Sequence, residues 1–371
     1  MTPDASPDAS PDAGTWDPAE FRARVQAALD AFLDLQAARL APLGPDAERL
    51  VAEARAVVSG GKRFRAAFCW WGHQAVAGCL ERQDDEQALA LARAAASLEL
   101  LHASALVHDD LMDASDTRRG RPATHRGFEA EHRGDAWRGD PEQYGAAAAI
   151  LLGDLLLSWS DEMLRTCGLS GDRVSDALAI LDACRTEVIA GQFLDVSVQA
   201  RGRADVDAAM TVLRYKSAKY SIERPLHVGA ALAGADEAQL RALTGFGLPL
   251  GEAFQLRDDL LGVFGDPATT GKPAGDDLVE GKRTVLVALA LDAASDEDAA
   301  LLDRSLGSPL TDEQVDRLRA IITEAGAAAQ VEEVIAALAE KAVGVLHASG
   351  FDPQATQVLT RLASAATQRT L

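Results

Sequence analysis

The sequence is poor in cysteine and in basic residues, and both shortages limit what the protein can be. Its four cysteines show no C-x-x-C spacing, and this usage is typical of a reduced, cytosolic protein. Lysine and arginine total 36 against 57 aspartates and glutamates, which gives a formal net charge of −21. A chain this acidic lacks the basic footprint of a nucleic-acid-binding protein, although it can still contain a local basic pocket for an anion.

Long hydrophobic runs are also absent. The two most apolar segments are residues 145–159, which Asp154 interrupts, and residues 284–291. Both are shorter than the roughly 20 residues that cross a membrane, so we expect buried core helices and no membrane span. No apolar run follows a basic start at the beginning of the chain, so no signal peptide is expected. These features predict a cytoplasmic location.

A sustained strand pattern is missing as well. From about Asp17 onward, alanine and leucine recur with helical spacing, and hydrophobic residues make up 48% of the chain, enough for a substantial core. Residues 1–14 repeat Pro-Asp-Ala-Ser, which predicts a disordered tail. Residues 15–371 contain no long linker and no repeat, so they are predicted to form one all-α domain of about a dozen helices.

The stretch LVHDDLMDASDTRRG, residues 106–120, places three carboxylates on an otherwise apolar helix. At 3.6 residues per turn, Asp113 lies about 40° from Asp109 around the helix axis, Asp110 about 100°, and His102 about 20°. Like charges four residues apart destabilise a helix unless a cation neutralises them, and an all-oxygen ligand set suits Mg²⁺. Taken alone, the motif fits a solvated acidic helix end equally well.

A second apolar helix carries the same feature. Residues 251–266, GEAFQLRDDLLGVFGD, contain the adjacent Asp258 and Asp259, with Gln255 one turn earlier. An acidic surface turn is again the alternative. If the two helices face each other, however, they form an acidic cleft that holds several Mg²⁺ ions, and a diphosphate group requires such a cluster.

Basic residues are few but grouped near these motifs. In SGGKRFR, residues 59–65, two glycines precede Lys62 and Arg65, so backbone and cations can approach one phosphate group together. A basic surface turn is the alternative for this stretch. Arg118 and Arg119 follow the first acidic motif closely and could bind two different anions. Further polar and cationic candidates occur later in the chain, at Lys216, Ser217, Lys272 and Lys282.

No motif for a nucleophile paired with a general base is present. The sequence lacks G-x-x-x-x-G-K-[ST], H-E-x-x-H and G-x-S-x-G. His102 and His108 are candidate bases, but a helical histidine more often serves in the core or in hydrogen bonding. The chemistry that remains is metal-assisted departure of a diphosphate, with cationic side chains neutralising the leaving group.

Seven ordered motifs between about residues 50 and 290 resemble those of the trans-isoprenyl diphosphate synthases, also called polyprenyl synthetases. The motifs are GGKRFR, LHASALVHDDLMD, DTRRGRPATH, GQFLD, KSAKYS, FQLRDD and GKPAGDDLVEGKRT. Each motif is weak alone, whereas the set in this order and spacing is specific. The resemblance implies a bundle of helices around a central cavity, Mg²⁺ as cofactor and a homodimer.

The resemblance also implies a role for each matching residue. Residues at positions that hold the isopentenyl diphosphate group are Lys62, Arg65, His102 and Arg119. Residues at positions that hold the allylic diphosphate are Arg118, Lys216, Lys272 and Lys282. Polar positions of the substrate site are matched by Ser217 and Gln255. The Mg²⁺ ligands are matched by Asp109, Asp113 and Asp258, with Asp259 as a further candidate.

The implied reaction is ionisation, condensation and elimination, and its catalytic set is Asp109, Asp113, Arg118, Lys216 and Asp258. Cationic side chains, together with Mg²⁺, draw away the allylic diphosphate and leave a carbocation. The isopentenyl double bond attacks this cation, and a proton is then lost to the departing diphosphate. Such a scheme needs an apolar cavity that excludes water, and it needs no dedicated general base.

Two features of the matched region depart from the family's usual pattern. The second motif usually reads D-D-x-x-D, but here Gly262 stands in the last place, and Asp266 is the candidate to compensate. Ser104 and Ala105 are small where the family often has an aromatic floor that stops chain growth early. We therefore expect an enzyme like the geranylgeranyl diphosphate synthases. A longer product is one alternative. Farnesyl diphosphate is another, if a bulky side chain from a different helix stops chain growth.

Two other functions stay open on the sequence. A class I terpene cyclase also uses an acidic helix and Mg²⁺, but it normally carries N-D-x-x-S-x-x-x-E, which this sequence lacks. A non-catalytic subunit of a heteromeric synthase is favoured by Gly262 and disfavoured by the intact Asp109, Asp113, Arg118 and Arg119. Turnover of isopentenyl diphosphate by the purified chain alone would exclude the subunit.

Overall fold

The computed structural model describes residues 16–78, 85–202, 205–265 and 275–368. Its α-helices are α1 (Pro18–Leu40), α2 (Pro45–Val58), α3 (Phe64–Ala77), α4 (Asp85–Met112), α5 (Thr124–Gly134), α6 (Pro141–Arg165), α7 (Gly171–Arg201), α8 (Val206–Val212), α9 (Arg224–Ala233), α10 (Glu237–Phe264), α11 (Asp276–Glu280), α12 (Val285–Ala293), α13 (Asp296–Ser305), α14 (Asp312–Glu324), α15 (Ala327–Ala348) and α16 (Pro353–Thr367). The predicted all-α fold is confirmed. The tail predicted for residues 1–14 lies outside the described residues, and the single domain 15–371 stays a prediction.

Three shorter elements complete the fold. A 3₁₀ turn (Ala41–Leu43) links α1 to α2, and a π-helical stretch (Leu213–Glu223) continues α8 into α9. Strands β1 (Thr117–Arg118) and β2 (Arg121–Pro122) form a small antiparallel hairpin after α4. π-Helical segments are rare and frequently lie at functional sites, and this one contains the KSAKYS motif.

Several helices begin at an aspartate followed by a proline. The side chain of Asp17 accepts a hydrogen bond from the backbone amide of Ala19, and Asp140 and Asp352 cap α6 and α16 in the same way. The proline that follows has no amide hydrogen to leave unpaired in the first turn. The breaks before Pro141 and Pro353 are therefore helix starts.

Small residues let the central helices approach closely. A side chain at Gly229 on α9 would overlap the backbone of Cys69 on α3, and one at Gly72 on α3 would overlap the backbone of Leu226. Phe68 is fully buried beside this contact. Because protein interiors are close-packed, the contact fixes α3 and α9 relative to each other, with little room for shifts.

The two acidic helices are anchored in the core. Residues 94–101 of α4 are all buried, whereas its N-terminal turns and its C-terminal part, including His102 and Asp109, are partly accessible. By length and composition α4 could cross a membrane, but 78% of its most apolar window is buried inside the fold. On α10, Phe246 belongs to one hydrophobic cluster and Leu260 to a second, so both clusters hold this helix in place.

One expectation about burial is wrong in part. Residues 284–291 form a buried helix as predicted, with Leu286 and Ala290 inaccessible. Residues 145–159 lie in α6, but the side chains of Ile150 and Leu151 on this helix are exposed. This half-exposed apolar face explains the length of the apolar run without placing the whole helix in the core.

Candidate active site

The first acidic motif meets three other elements at the C-terminal end of α4. Nζ of Lys216, from the π-helical stretch, lies 3.0 Å from Oδ1 of Asp109 and 2.6 Å from Oδ2 of Asp195 on α7. Gln192, one turn before Asp195, donates a hydrogen bond of 3.0 Å to the same oxygen of Asp109. Burial would raise the pKa of Asp109, but the charges of Lys216, Lys282 and Arg118 outweigh burial and hold that pKa well below its usual range.

Asp113 contrasts with Asp109 because one of its oxygens is unsatisfied. Its side chain is only 4% exposed, and its buried Oδ2 accepts no hydrogen bond from the residues that the structure describes. Burial and the neighbouring Asp109 carboxylate raise the pKa of Asp113. A buried carboxylate oxygen without a donor is costly, and a bound cation would remove that cost. The site therefore fits a divalent cation.

Lys282 joins the two halves of the cleft. Its Nζ lies 3.6 Å from Oδ2 of Asp113, 3.4 Å from Oδ1 of Asp277 and 2.5 Å from Oε2 of Glu280. Burial opposes the charge of Lys282, but these carboxylates outweigh burial and raise its pKa. Asp113 follows α4, whereas Lys282 follows α11 next to α10, so this lysine links the two acidic regions.

The second acidic helix contributes two unequal aspartates. Asp259 is buried and accepts a 2.8 Å hydrogen bond from Gln255, and burial, with Asp277 and Asp258 nearby, raises its pKa to about 8. Asp258 is half-buried. Asp258 is thus the more accessible carboxylate of the pair. Gln255, predicted to meet substrate, binds Asp259 in this structure, and its substrate contact stays a prediction.

The hairpin after α4 separates the two arginines. Arg119 and Gly120 both have positive φ angles, 52° and 72°, as a two-residue turn between antiparallel strands requires. Arg118 pairs with Asp110, its Nε donating at 2.8 Å and 3.1 Å to the two carboxylate oxygens, and its Nη2 lies 3.9 Å from Oδ2 of Asp109. Arg119 turns instead toward the glycine turn and donates at 3.1 Å to the backbone oxygen of Ser59.

Asp110 does not line the cleft with Asp109 and Asp113. Its side chain is 4% exposed and points to the Arg118 guanidinium. Burial lowers the pKa of Arg118, but the Asp110 carboxylate outweighs burial and raises it. A buried, doubly hydrogen-bonded pair fixes an arginine in one orientation. Asp110 is therefore a positioning residue for Arg118, a role that the helical spacing alone does not reveal.

A second group of cations surrounds Tyr220. Arg65 donates a 2.7 Å hydrogen bond to Ser221, and its guanidinium lies 4.2 Å from the centre of the Tyr220 ring. The Tyr220 hydroxyl lies 3.2 Å from Nδ1 of His102. Burial, followed by nearby Arg65 and Arg119, lowers the pKa of His102 well below its usual value, so this histidine is neutral at pH 7. Sequence reasoning missed Tyr220, although it lies four residues after Lys216 in KSAKYS.

Arg119 extends this basic group toward the glycine turn. Burial and the nearby Arg63 lower the pKa of Arg119, which marks an excess of positive charge around it. A cavity of about 250 Å³ opens between the turn, α4 and the hairpin, and Gly60, Arg119 and Leu106 line part of it. Lys62 follows these glycines on the same turn and is exposed. Together these residues form a site for an anion, separate from the acidic cleft.

The remaining predicted residues fall in different places. Ser217 and Ala105 are half-buried, whereas Ser104 is buried at 3% exposure. Lys272 and Asp266 lie outside the described residues. His108 packs against Gly153 on α6, and its Nε2 lies 3.2 Å from the backbone oxygen of Ile150. The ring therefore faces away from the cleft, which makes it unsuitable as a base there.

The described residues contain no group of three or more metal-binding side chains gathered tightly enough to hold an ion alone. Mg²⁺ commonly takes one or two carboxylates and completes its octahedron with water and substrate phosphates. Asp109, Asp113 and Asp258, with the cationic Lys216 and Lys282 beside them, fit this mode of binding. The ligand roles of these three residues stay predictions.

Replacing Tyr220 with phenylalanine tests whether the second basic group, Arg65 and Arg119 with His102 and Tyr220, binds isopentenyl diphosphate. The change removes the hydroxyl near His102 but keeps the ring under Arg65, and loss of one hydrogen bond costs about 1 kcal/mol. We expect KM for isopentenyl diphosphate to rise about fivefold while KM for the allylic substrate changes little. Steady-state kinetics with each substrate varied in turn measures both values. An equal rise in both KM values would contradict the assignment.

Comparison with known proteins agrees with this geometry. The polyprenyl synthetase family model matches residues 48–325. A crystal structure of geranylgeranyl pyrophosphate synthase from Corynebacterium glutamicum, complexed with isoprenyl diphosphate and magnesium, is 42% identical, with a TM-score of 0.92, and covers 96% of this chain and 100% of that chain.

Curated relatives give the same result. Geranylgeranyl diphosphate synthase of Mycobacterium tuberculosis is 35% identical over 72% of this chain and 69% of that protein. Geranylfarnesyl diphosphate synthase of Aeropyrum pernix is 31% identical over 82% of this chain and 89% of that protein. Because the family model and these relatives cover most of its length, the chain belongs to the polyprenyl synthetase family.

Proposed function

We propose that this prenyltransferase condenses isopentenyl diphosphate head to tail with an allylic diphosphate, with Mg²⁺ as its metal and geranylgeranyl diphosphate as its product. The observation that carries the proposal is the pair of acidic regions joined by Lys282, with Oδ2 of Asp113 left without a donor between them. The names of the relatives support the reaction class, and the magnesium-bound neighbour supports the choice of metal.

The allylic diphosphate is assigned to the cleft between α4 and α10. Arg118, Lys216 and Lys282 would bind its oxygens and neutralise the charge that develops as the carbon–oxygen bond breaks. When bound by Asp109, Asp113 and Asp258, Mg²⁺ would supply further charge neutralisation to the leaving group. Asp110 and Asp195 hold Arg118 and Lys216 in place, so the cations need no rearrangement as the reaction proceeds.

Isopentenyl diphosphate is assigned to the second basic group. Lys62, Arg65 and Arg119 are the cations for its diphosphate, and the neutral His102 offers a hydrogen bond rather than a charge. This group lies beside the acidic cleft but is built on a separate turn, so the two diphosphates are held apart. The proton lost from the new allylic unit goes to the departing diphosphate, so the scheme needs no dedicated base.

The condensation assay tests this proposal and its alternatives. Purified chain, Mg²⁺ and isopentenyl diphosphate are incubated with dimethylallyl, geranyl or farnesyl diphosphate, and products and released pyrophosphate are measured. We expect geranylgeranyl diphosphate and one pyrophosphate per added unit. Cyclised hydrocarbon from a longer diphosphate would favour a terpene cyclase, and no turnover with any primer would favour a non-catalytic subunit.

The product length is proposed to depend on Ala105, one turn below Asp109. Replacing Ala105 with phenylalanine would place a bulky ring in the path of the growing chain. We expect the main product to shorten from geranylgeranyl to farnesyl diphosphate, as measured by chromatography of the dephosphorylated products. The control Ser104→Ala adds no volume and should leave the length unchanged. An unaltered product from Ala105→Phe would place the floor elsewhere.

We also propose that the chain forms a homodimer in the cytoplasm. Large apolar side chains are exposed on the neighbouring helices α6 and α7, namely Ile150, Leu151, Ile189, Phe193 and Val196. Exposed large apolar side chains in such number on two packed helices are typical of an interaction site. The buried free thiols of Cys69, Cys167 and Cys184 suit a reducing compartment.

A charge placed on this face tests the dimer. Phe193 is 73% exposed, so Phe193→Glu costs the monomer little, but it would bury an unpaired charge in a dimer interface. We expect monomers by light scattering at concentrations where the parent is dimeric. Leu35→Glu on α1, where Leu35 is 68% exposed, is the matched control and should stay dimeric. A dimeric Phe193→Glu variant would contradict the assigned interface.

A further inference from the structure

Gly262 stands one turn after the paired aspartates of α10, and the space beside it is already filled. A Cβ atom added to Gly262 would overlap Oδ2 of Asp277 and lie 3.0 Å from its Oδ1. Asp277 belongs to α11, a different element of the chain. Its carboxylate therefore occupies the position where a side chain at residue 262 would begin.

The backbone of α10 does not require a glycine at this position. Gly262 lies inside the helix with no positive φ angle, and a glycine in a helix interior costs about 1 kcal/mol relative to alanine. Close approach of another group is the remaining physical reason for a glycine in a helix. Asp277 is the group that makes this approach.

The position of Asp277 relates it to both halves of the cleft. In a helix, residues 258 and 262 lie on one face, one turn apart, so the Asp277 carboxylate continues the acidic face of Asp258. Its side chain is 14% exposed, and its Oδ1 lies 3.4 Å from Nζ of Lys282. The same ammonium group lies 3.6 Å from Oδ2 of Asp113, a buried oxygen that accepts no hydrogen bond from the described residues, on a side chain that is 4% exposed.

We propose that Asp277 supplies the third carboxylate of the second acidic motif, and that Gly262 is the gap that admits it. The inference rests on the proposed function and deepens the same site. Asp277 would bind the metal–diphosphate complex, directly or through a metal-bound water, in place of an aspartate at residue 262. The departure from D-D-x-x-D is then a relocation of one carboxylate rather than its loss, and Asp266 is not needed to compensate.

An exchange of the two residues tests this relocation. The variants are Asp277→Gly, Gly262→Asp and the double exchange, and the probe is Mn²⁺ with inorganic pyrophosphate, followed by electron paramagnetic resonance. Loss of a supporting ligand typically costs tenfold to a hundredfold in metal affinity, so we expect a loss of about tenfold or more for Asp277→Gly. Gly262→Asp should also bind Mn²⁺ more weakly, because two carboxylates then compete for one space. The double variant should recover most of the parent's affinity.

Two further variants separate a metal-binding role from a structural one. Asp277→Asn keeps the size of the side chain and should still lose about tenfold in Mn²⁺ affinity, with a melting temperature near that of the parent. Asp276→Asn makes the same change of charge one residue away and should bind Mn²⁺ like the parent. Parent-like affinity in Asp277→Asn, or a double variant no better than the weaker single variant, would overturn the relocation.

The same experiment is independent of the catalytic assay. A parent chain that binds Mn²⁺ and pyrophosphate but fails to condense any primer would refute the proposed function, and the exchange would still report on Asp277. An active parent whose affinity and kcat do not respond to Asp277→Asn would refute only the relocation. Failure of the two ideas is thus distinguishable.

Discussion

Replacing Asp109 with asparagine is expected to lower kcat for condensation by roughly a thousandfold, the upper range for loss of one preorganised electrostatic group. Asp109 is the carboxylate that Lys216, Gln192 and Arg118 surround, and the charges of Lys216 and Arg118 keep it ionised. The asparagine side chain of the variant has no negative charge with which to bind a cation. Among the described residues, Lys216 then keeps one carboxylate within 4 Å, that of Asp195. Pyrophosphate release at saturating substrates measures kcat.

The control for this prediction is Asp116→Asn. Asp116 lies seven residues later in the same stretch, but its side chain is 80% exposed and pairs with Arg126 outside the cleft. An exposed ion pair contributes little, so this variant should keep kcat and thermal stability close to those of the parent. An Asp109→Asn variant with more than a tenth of the parent's kcat would exclude Asp109 as an essential ligand.

Replacing Glu99 with leucine is expected to destabilise the protein by about 3–5 kcal/mol, because it leaves a buried charge without its partner. The side chains of Arg63 and Glu99 are 4% and 5% exposed, and Nη1 of Arg63 lies 3.1 Å from Oε2 of Glu99. Glu99 also accepts a 3.2 Å hydrogen bond from the amide of Ala66, at the start of α3. Urea unfolding followed by circular dichroism gives the change in free energy.

The double variant Arg63→Met/Glu99→Leu is the matched control. Replacing both partners of a buried ion pair by apolar residues is often nearly neutral, so part of the lost stability should return. Full recovery is not expected, since the Arg63 side chain also donates to Gln26 and to the backbone oxygen of Val58. A double variant less stable than Glu99→Leu would contradict this account of the pair.

Part of the site follows directly from helical periodicity. Asp109 and Asp113 are four residues apart on an apolar helix, so their common face is fixed by the backbone before any tertiary contact forms. The same spacing does not show which other segments of the chain pack against each side of this helix. Asp110 therefore has the same sequence signal as its neighbours, yet it faces Arg118 and is buried.

Contacts between distant segments were beyond the reach of sequence reasoning. Tyr220 joins Arg65 and His102, which lie 155 and 118 residues away in the chain, by a ring contact and a hydrogen bond. Gly262 reads as a missing carboxylate in the sequence, whereas in the fold it faces Asp277. An apolar run likewise has the same composition whether all or only part of it is buried, so the sequence predicts burial for Leu151 on α6, which is exposed.

The central claim is that α4 and α10 together bind divalent ions on one allylic diphosphate. A crystal of the chain grown with Mn²⁺ and a thio-analogue of farnesyl diphosphate, measured at the manganese edge, tests it most directly. The account predicts anomalous peaks beside Asp109 and Asp113 and beside Asp258, with the diphosphate between them and Arg118, Lys216 and Lys282 around it. A diphosphate bound elsewhere, or no peak between the two helices, would contradict it.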